Sequence, residues 1–138
     1  MYIKINILTD KQATQLYDLY QHKWWTKGRT LDDVHKMLIN SDYIFGICES
    51  HSQKLVAFAH VVSDRTYRAI IYDVIVAANH RHQGLGSLLI EQIVSHPEIS
   101  QIECVQLCCL PETIPFYQKF GFDKPKTYLL ARQRVEKS

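Results

Sequence analysis

The fold of this chain is restricted above all by one passage in its middle, NHRHQGLGSLLIEQI at residues 79–93, which directly follows the apolar segment RAIIYDVIVA at residues 68–77. The apolar segment shows little alternation, which indicates a central strand covered on both faces. Gly84 and Gly86 lie one residue apart and permit backbone conformations that other residues avoid. The run behind them has apolar residues at helical spacing. The passage therefore predicts a strand, a glycine turn and a helix in immediate succession.

The glycine turn has the chemistry of an anion site. The first residues of a helix present free N–H groups along its axis, and these groups together with the helix dipole attract phosphate. Arg81 and His82 add positive or hydrogen-bonding groups at the mouth of the predicted helix, and Ser87 adds a hydroxyl. The third glycine position of a dinucleotide-binding turn holds Leu89, and no Gly-Lys-Ser/Thr follows as in a P-loop. By itself the turn fits either a tight connection or a phosphate site.

A second motif, PFYQKFGF at residues 115–122, is dense in aromatic residues and ends a short predicted helix. We expect its three phenylalanines to pack in the core. Tyr117 differs, because a buried tyrosine hydroxyl needs a hydrogen-bond partner and can also serve as an acid. Tyr117 is therefore a candidate functional residue.

The remaining segments mix strands with helices, which predicts an α/β fold with a partly parallel sheet. Thr9 and Thr30 offer N-cap side chains for two helices. We expect strands at residues 2–8, 42–50, 54–64, 101–110 and 126–134, and helices at residues 10–21, 31–40 and 111–120 and from the glycine turn to about residue 96. The chain has no repeat, low-complexity tract or linker, so residues 1–138 are predicted to form a single domain.

Together the two motifs resemble the GNAT superfamily of acyl-CoA-dependent N-acetyltransferases. The pyrophosphate motif of that family, Arg/Gln-x-x-Gly-x-Gly/Ala, is matched by residues 81–86, and its aromatic helix ending is matched by residues 116–122. PFYQKFGF is also distantly similar to the corresponding motif of arylalkylamine N-acetyltransferases. The resemblance implies the GNAT fold, which is an α/β fold with a mixed, partly parallel sheet of about six to seven strands, flanking helices and a splayed central strand pair.

The resemblance also implies where the donor binds. Acetyl-CoA would be the co-substrate, and no metal is expected. The pantetheine arm would pair with the end of the central strand at Val74, Ile75 and Val76, where a backbone N–H would polarise the thioester carbonyl. Tyr117 matches the family tyrosine that returns a proton to the departing thiolate. The pyrophosphate would lie on the turn formed by Arg81, His82, Gln83, Gly84, Leu85, Gly86 and Ser87.

The proton acceptor is less defined. Arylalkylamine enzymes carry two histidines on the central strand, where this chain has Ile70 and Tyr72. Asp73 is the carboxylate inside the apolar strand, and a buried charge needs a partner or a function. A catalytic role for Asp73 and a structural role in an ion pair or hydrogen-bond network both stay open. His60, Glu112 and a chain of water molecules are the alternatives.

The loop HKWWTKGRT, residues 22–30, joins the first two predicted helices, and in the GNAT fold this loop borders the acceptor site. Trp24 and Trp25 could form an aromatic wall for an amine, because a cation is attracted to the face of an indole. Arg29 could hold an acidic group of the substrate. We expect one of the two tryptophans to fold back onto the core, since exposed aromatic surface is costly.

Composition excludes several classes of partner. The formal net charge is +2, which is too small to argue for nucleic acid or an anionic membrane, and no apolar run is long enough to span a bilayer. The N-terminus reads as a strand and lacks the marks of a signal peptide. Cysteines 48, 104, 108 and 109 form no C-x-x-C pair, so we expect buried, reduced thiols and a cytoplasmic location. A homodimer stays open.

The sequence supports an enzyme that moves an acetyl group from acetyl-CoA to a primary amine, with a small-molecule acceptor favoured over a peptide or protein amine. The amine would attack the thioester directly in a ternary complex. Two alternatives remain at this stage. One is a non-catalytic CoA-binding sensor or interaction module, and the other is a domain that binds the phosphate of a different nucleotide.

Overall fold

A computed structural model describes residues 1–134 and contains one five-stranded sheet. Its strands are β1 (Tyr2–Ile5), β2 (Tyr43–Glu49), β3 (Leu55–Ser63), β4 (Arg68–Val76) and β5 (Cys104–Leu107). They lie side by side in chain order, so that β1 to β4 pair antiparallel and β4 pairs with β5 in parallel. The α/β architecture with a partly parallel sheet is confirmed.

Three of the described helices begin where the sequence predicts, and the last begins at Ile114, three residues after its predicted start. The described helices are α1 (Asp10–Gln21), α2 (Leu31–Asn40), α3 (Leu85–Val94) and α4 (Ile114–Gln118), with 3-10 turns at Ala78–His80, Ile99–Gln101 and Pro111–Thr113. Thr9 caps α1 in a capping box, because its hydroxyl accepts from the Gln12 N–H and the Gln12 side chain accepts from the Thr9 N–H, both at 3.1 Å. The Thr30 hydroxyl caps α2 by accepting from the Asp33 N–H at 3.1 Å.

Helices cover both faces of the sheet. On one face, α1 and α2 bury a cluster of side chains against β3 and β4, consisting of Leu16, Tyr20, Val34, Leu55, Phe58 and Ile75. On the other face, α3 packs against β2, β3 and β4 and contributes the buried residues Leu85, Leu89, Ile90 and Ile93. The crossover through α3 supplies the long connection that a parallel strand pair needs.

The strand covered on both faces is β3, not β4. All residues from Leu55 to Val61 are buried, and β3 lies in the middle of the sheet order. The expectation that residues 68–77 form a fully covered central strand is therefore wrong, because Arg68 and Tyr72 of β4 are exposed. Apolar composition alone could not distinguish the two strands.

The strand predicted at residues 126–134 is not formed, and the described sheet has five strands instead of six to seven. A strand exists only through its hydrogen-bonded neighbour, so a favourable composition permits one without creating one. The cysteine prediction is also wrong in part. Cys48 is buried, but Cys108 and Cys109 are exposed because β5 ends at Leu107.

The chain forms two compact units. The first, Met1–Cys108, holds the whole sheet with α1, α2 and α3. The second begins at Cys109 and holds α4. A single domain over residues 1–138 stays a prediction. The features described next lie in the first unit unless stated otherwise.

Candidate active site

The turn between β4 and α3 has the backbone of an anion cradle. His82 and Gly84 both take left-handed conformations, with φ of 65° and 78°. Gly84 is the N-cap residue of α3, and a Cβ built on it would have no atom within 4 Å. The space over this backbone is therefore open. Left-handed residues in a turn aim successive N–H groups toward one point, which is the geometry of a backbone nest.

The N–H groups at this turn are available to a ligand. Leu88 N–H donates to the Gly84 carbonyl at 3.0 Å and makes the first bond of the helix. The N–H groups of Leu85, Gly86 and Ser87 find no acceptor among residues 1–134. Free N–H groups at a helix start, in line with its dipole, suit a phosphate or pyrophosphate. The predicted donor turn thus has the geometry that its proposed ligand requires.

Sequence reasoning missed the side chain that supports this turn. The Tyr2 hydroxyl, on β1, donates to Gln83 Oε1 at 2.7 Å and lies 2.9 Å from His80 Nδ1. With its own proton directed to Gln83, Tyr2 accepts from His80. Gln83 is therefore turned toward β1, so its side chain supports the turn while its backbone stays in the nest. Tyr2 lies about eighty residues away along the chain, and no local signal connects it to the turn.

The predicted splay of two strands is present. Parallel pairing of β4 with β5 runs from Arg68 opposite Cys104 to Ile71 opposite Leu107 and then stops. Strand β4 continues to Val76, still paired with β3 on its other side. The edge of β4 at Val74, Ile75 and Val76 therefore has no β5 partner. Such an edge can pair with the amides of an extended arm such as pantetheine.

A β-bulge lies where the two strands part. In the pairing of β3 with β4, His60 stands opposite Tyr72 and Phe58 stands opposite Ile75, so β4 holds one extra residue between these pairs. Asp73 has a φ of 57° in the left-handed region. That conformation costs an L-residue roughly 1–2 kcal/mol, and Asp tolerates it better than most. Bulges of this kind redirect a side chain and are common beside active sites.

The Asp73 carboxylate is the centre of a buried polar cluster. Its Oδ2 accepts from the Tyr20 hydroxyl at 3.0 Å and from Arg29 Nη1 at 2.7 Å, and His60 Nε2 lies 3.0 Å from the same oxygen. The Asp73 side chain is only 7% exposed. We call Tyr20, Arg29, His60 and Asp73 the Asp73 cluster. It connects α1, the α1–α2 loop and β3 to the bulge in β4.

The charges in this cluster are fixed by their surroundings. Burial alone would raise the pKa of Asp73, but hydrogen bonds from His60 and Arg29 and the Arg29 charge outweigh it and hold that pKa at about 2. Burial and the adjacent carboxylate raise the pKa of Tyr20, so its hydroxyl keeps its proton. Asp73 is therefore an anion at neutral pH and a weak base. This favours a positioning role for Asp73, and its predicted catalytic role stays a prediction.

His60 extends the cluster to α2. It is buried, and its Nδ1 lies 2.9 Å from the Ser41 hydroxyl while its Nε2 faces Asp73. Serine, histidine and aspartate in this order have the connectivity of a nucleophilic triad. However, the Ser41 hydroxyl also donates to the Met37 carbonyl at 2.8 Å and so serves the end of α2. Both ring nitrogens of His60 are engaged, which leaves neither open to an acceptor amine.

The loop predicted to border the acceptor is anchored through Arg29. Its guanidinium lies over the Tyr20 ring, with Cζ 4.6 Å from the ring centroid, and it binds Asp73. Trp24 is 79% exposed and Trp25 is 43% exposed, so the expectation that one of them packs on the core is wrong. The loop contacts the core through Arg29 and the buried Thr26 instead. Binding of substrate by Trp24, Trp25 and Arg29 stays a prediction.

Tyr117 belongs to the second unit and lies on α4. Its ring contacts Phe116 and Phe122 edge-on, with centroids 5.0 Å and 6.2 Å away. Burial raises the pKa of Tyr117, so its hydroxyl is protonated at neutral pH, the form in which it can act as an acid. Its predicted catalytic role stays a prediction. Glu112, an alternative proton acceptor, is exposed in the 3-10 turn before α4.

A cavity of about 690 Å³ opens between α1 and the ends of β3 and β4. Three of the predicted donor-site residues, Ile75, Val76 and Arg81, line it. Within residues 1–134, no three histidine, cysteine or carboxylate side chains come together as metal ligands. In the same described part of the chain, the helices are too short or too polar to cross a membrane.

Comparison with known proteins gives a consistent result. A family model described as the acetyltransferase (GNAT) domain matches residues 41–124. An uncharacterised N-acetyltransferase, Ycf52 of Pyropia yezoensis, is 32% identical over 122 residues, which cover 85% of this chain and 70% of that protein. The crystal structure of a candidate acetyltransferase of the GNAT family from Xanthomonas campestris pv. campestris superimposes with a TM-score of 0.83 at 24% identity. The match covers 97% of this chain and 94% of the other.

The names of other similar proteins specify different acceptors. Histone acetyltransferase TAP1 of Glycine max is 33% identical over 76 residues, which cover 54% of this chain and 31% of that protein. Glucosamine-6-phosphate N-acetyltransferase of Arabidopsis thaliana has a similar fold, with a TM-score of 0.76 at 19% identity over 96% of this chain and 98% of the other. An acetyltransferase of Clostridium acetobutylicum solved with acetyl-CoA has a TM-score of 0.69 at 15% identity over 96% of each chain.

Proposed function

The chain belongs to the GNAT family of acyl-CoA-dependent N-acetyltransferases, and we propose that it transfers an acetyl group from acetyl-CoA to the primary amine of a small molecule. The observation that carries the donor side is the combination of the left-handed turn at His82 and Gly84 with the unpaired edge of β4. Membership of the family does not specify the acceptor, so the small-molecule amine is our proposal.

Acetyl-CoA supplies a thioester whose carbonyl carbon can be attacked by an amine. The N–H groups of Leu85, Gly86 and Ser87 hold its pyrophosphate, and the edge of β4 from Val74 to Val76 aligns its arm. A β4 backbone N–H at this edge polarises the thioester carbonyl, a contribution of roughly 2.7–4 kcal/mol in comparable sites. The nitrogen–carbon bond forms as the carbon–sulfur bond breaks, and CoA leaves as a thiolate.

Two protons must move in this reaction. The amine loses one on attack, and the departing thiolate gains one from Tyr117. Asp73 is too weak a base to take the amine proton directly, since its pKa is about 2. We assign Asp73 the role of holding the bulge and the α1–α2 loop in place, through Tyr20 and Arg29. Solvent water is then the first acceptor of the amine proton.

The α1–α2 loop supports a small acceptor. Arg29 fixes the loop to β4, and Gln21 donates to the Arg29 carbonyl at 3.0 Å. A loop held at both its side chain and its backbone forms a fixed wall, which suits a small, defined ligand. Trp24 and Trp25 present exposed indole faces that attract an ammonium group.

A cytoplasmic location remains part of the proposal.

The test is acetyl transfer from labelled acetyl-CoA to a panel of polyamines, arylalkylamines, amino sugars, amino acids and peptides. We expect at least one small amine to be acetylated with a kcat/KM well above that of any peptide. Preference for a peptide would refute the small-molecule assignment. Binding of acetyl-CoA without transfer to any acceptor would instead indicate a CoA sensor.

Tyr117→Phe provides a second test on the same assay. We expect it to lower kcat about 100-fold or more, as loss of a general acid does. The dissociation constant of CoA should stay unchanged, because the phenol is assigned to proton transfer and not to binding. Tyr67→Phe, at an exposed tyrosine before β4, is the matched control and should leave kcat as it is. Equal kcat values for the two variants would remove Tyr117 from the mechanism.

A further inference from the structure

The cavity between α1 and the ends of β3 and β4 is lined by three cationic side chains from different parts of the chain. Lys23 lies just after α1, Lys54 just before β3 and Arg81 after β4. Asp18 is the acidic residue of the lining, so three positive charges face one negative charge and leave a formal excess of two. Among residues 1–134, Lys23, Lys54 and Arg81 form no ion pair.

Two of these cations lie close enough to repel each other. Burial, and after it the charge of Arg81, lowers the pKa of Lys23. A lysine disfavoured by a neighbouring cation indicates positive charge that the protein itself does not neutralise. An anion placed between Lys23 and Arg81 would relieve this repulsion and also offset the burial of the ammonium group.

The same cavity has an apolar wall. Leu19 of α1, Val76 of β4 and the following Ala77 line it, and all three are partly exposed. Its volume of about 690 Å³ lies within the range of small-molecule sites, which is roughly 300–1,000 Å³. Cations beside an apolar wall suit a ligand that carries an anionic head on an apolar body.

The cavity adjoins the slot assigned to the pantetheine arm, because Ile75 and Val76 line the cavity and also belong to the β4 edge assigned to the arm. That slot lies at the β4 edge from which β5 departs, whereas the cavity lies toward β3 and α1. The N–H groups of Leu85, Gly86 and Ser87 do not line the cavity. Ile75, Val76 and Arg81 belong to both places, whereas Lys23 and Lys54 line the cavity alone.

We propose that this cavity binds a phosphate monoester, with the phosphate held by Lys23, Lys54 and Arg81 and the apolar part against Leu19 and Val76. A phosphate monoester carries about two negative charges at neutral pH, which matches the excess of two positive charges. The phosphate can come from a separate metabolite or from the 3′-phosphate of CoA itself. The chemistry of recognition is the same for both, and the experiment distinguishes them.

The test uses isothermal titration calorimetry with four probes, namely phenyl phosphate, phenol, CoA and 3′-dephospho-CoA. Lys23→Gln and Lys54→Gln remove one cation each, and Lys11→Gln, at an exposed lysine in the first turn of α1, is the matched control. We expect each cavity variant to weaken phosphate binding about tenfold, as loss of one charge-assisted hydrogen bond does. Phenol should not bind, and Lys11→Gln should behave as the native protein.

The two sources give different patterns. A separate ligand is indicated if phenyl phosphate binding weakens while CoA and 3′-dephospho-CoA bind as before. The CoA 3′-phosphate is indicated if CoA binding weakens and 3′-dephospho-CoA binding does not. The proposal is overturned if both cavity variants bind phenyl phosphate and CoA within about twofold of the native protein. Since the two variants change the cavity and phenyl phosphate binding is measured without acetyl transfer, this result is independent of whether acetyl transfer is found.

Discussion

Asp73 carries two costs at once, a left-handed backbone and a buried charge, and both are offset by side chains from distant parts of the chain. Tyr20, Arg29 and His60 all direct a hydrogen-bonding group to one carboxylate oxygen. A cluster that converges on a single atom depends on the charge of that atom. The direction in which a change of Asp73 shifts the free energy of unfolding therefore follows from the loss of that charge.

Asp73→Asn should lower the free energy of unfolding by about 3 kcal/mol, because it removes the anion that binds Arg29 and the buried His60. Urea denaturation at pH 7 measures the change. Asp32→Asn, at an exposed position in the first turn of α2, is the matched control and should cost less than about 1 kcal/mol. If the two variants lose the same stability, the cluster does not stabilise the fold.

The same carboxylate makes stability depend on pH at the acid end. The pKa of Asp73 is about 2 in the native protein, below the value of about 3.9 in an unfolded chain. Its contribution is fully present above about pH 5 and is lost progressively as the pH falls through 2, for a total of about 2.6 kcal/mol. Across this range, the free energy of unfolding should fall more steeply with decreasing pH for the native protein than for Asp73→Asn. Equal slopes for the two proteins would contradict this prediction.

At the scale of single residues, the sequence predicted which positions are special but not what they contact. An isolated aspartate in an apolar strand signals a partner or a function, and Asp73 has partners. Those partners lie 53, 44 and 13 residues away along the chain. No spacing rule connects them, because the contacts arise only when the sheet and α1 have packed.

Among the elements, the turn between β4 and α3 is the most specific to function. Its left-handed residues open the backbone toward a ligand, and Tyr2 holds it from β1. The local sequence was enough to predict this turn, because glycines indicate a turn and the helical spacing of the apolar residues behind them indicates the start of a helix. The same local reasoning placed the caps of α1 and α2 at Thr9 and Thr30.

Gly84→Ala should cost about 1 kcal/mol in stability, because its φ of 78° strains a residue with a Cβ, and should weaken CoA binding severalfold. The matched control is Gly28→Ala in the α1–α2 loop, where φ is 99° and a Cβ also meets nothing within 4 Å. Both variants should lose similar stability. Only Gly84→Ala should weaken CoA binding, as measured by calorimetry, and equal CoA affinities would remove the turn from the donor site.

For the whole molecule, the position of each strand in the sheet follows from pairing that the sequence does not display. The apolar run in β4 suggested the centre of the sheet, yet β3 occupies it. Residues 126–134 are predicted as a strand, yet they form none. In both cases the local sequence shows which side chains a segment could bury. Pairing with neighbouring strands determines which of them it buries.

The rates of amide hydrogen exchange should follow the burial and pairing of these segments. Amides of β3 between Leu55 and Val61, buried and paired on both sides, should exchange only through global unfolding. Amides at residues 126–134, which make no ladder bonds, should exchange fastest. Mass spectrometry of native exchange tests this ranking. Protection at residues 126–134 equal to that of β3 would show that the segment is paired in solution.

The bulge at Asp73 also has a consequence for how relatives of this chain should be aligned. Ile71 is buried on one face of β4, and Ile75, four residues later, is buried on the opposite face with Phe58 and Leu16. In an unbroken strand these two residues would share a face. The parity of inward and outward positions therefore reverses at Asp73. An alignment that places an insertion or deletion one position away from this residue will match inward-facing side chains with outward-facing ones over the rest of the donor-binding edge.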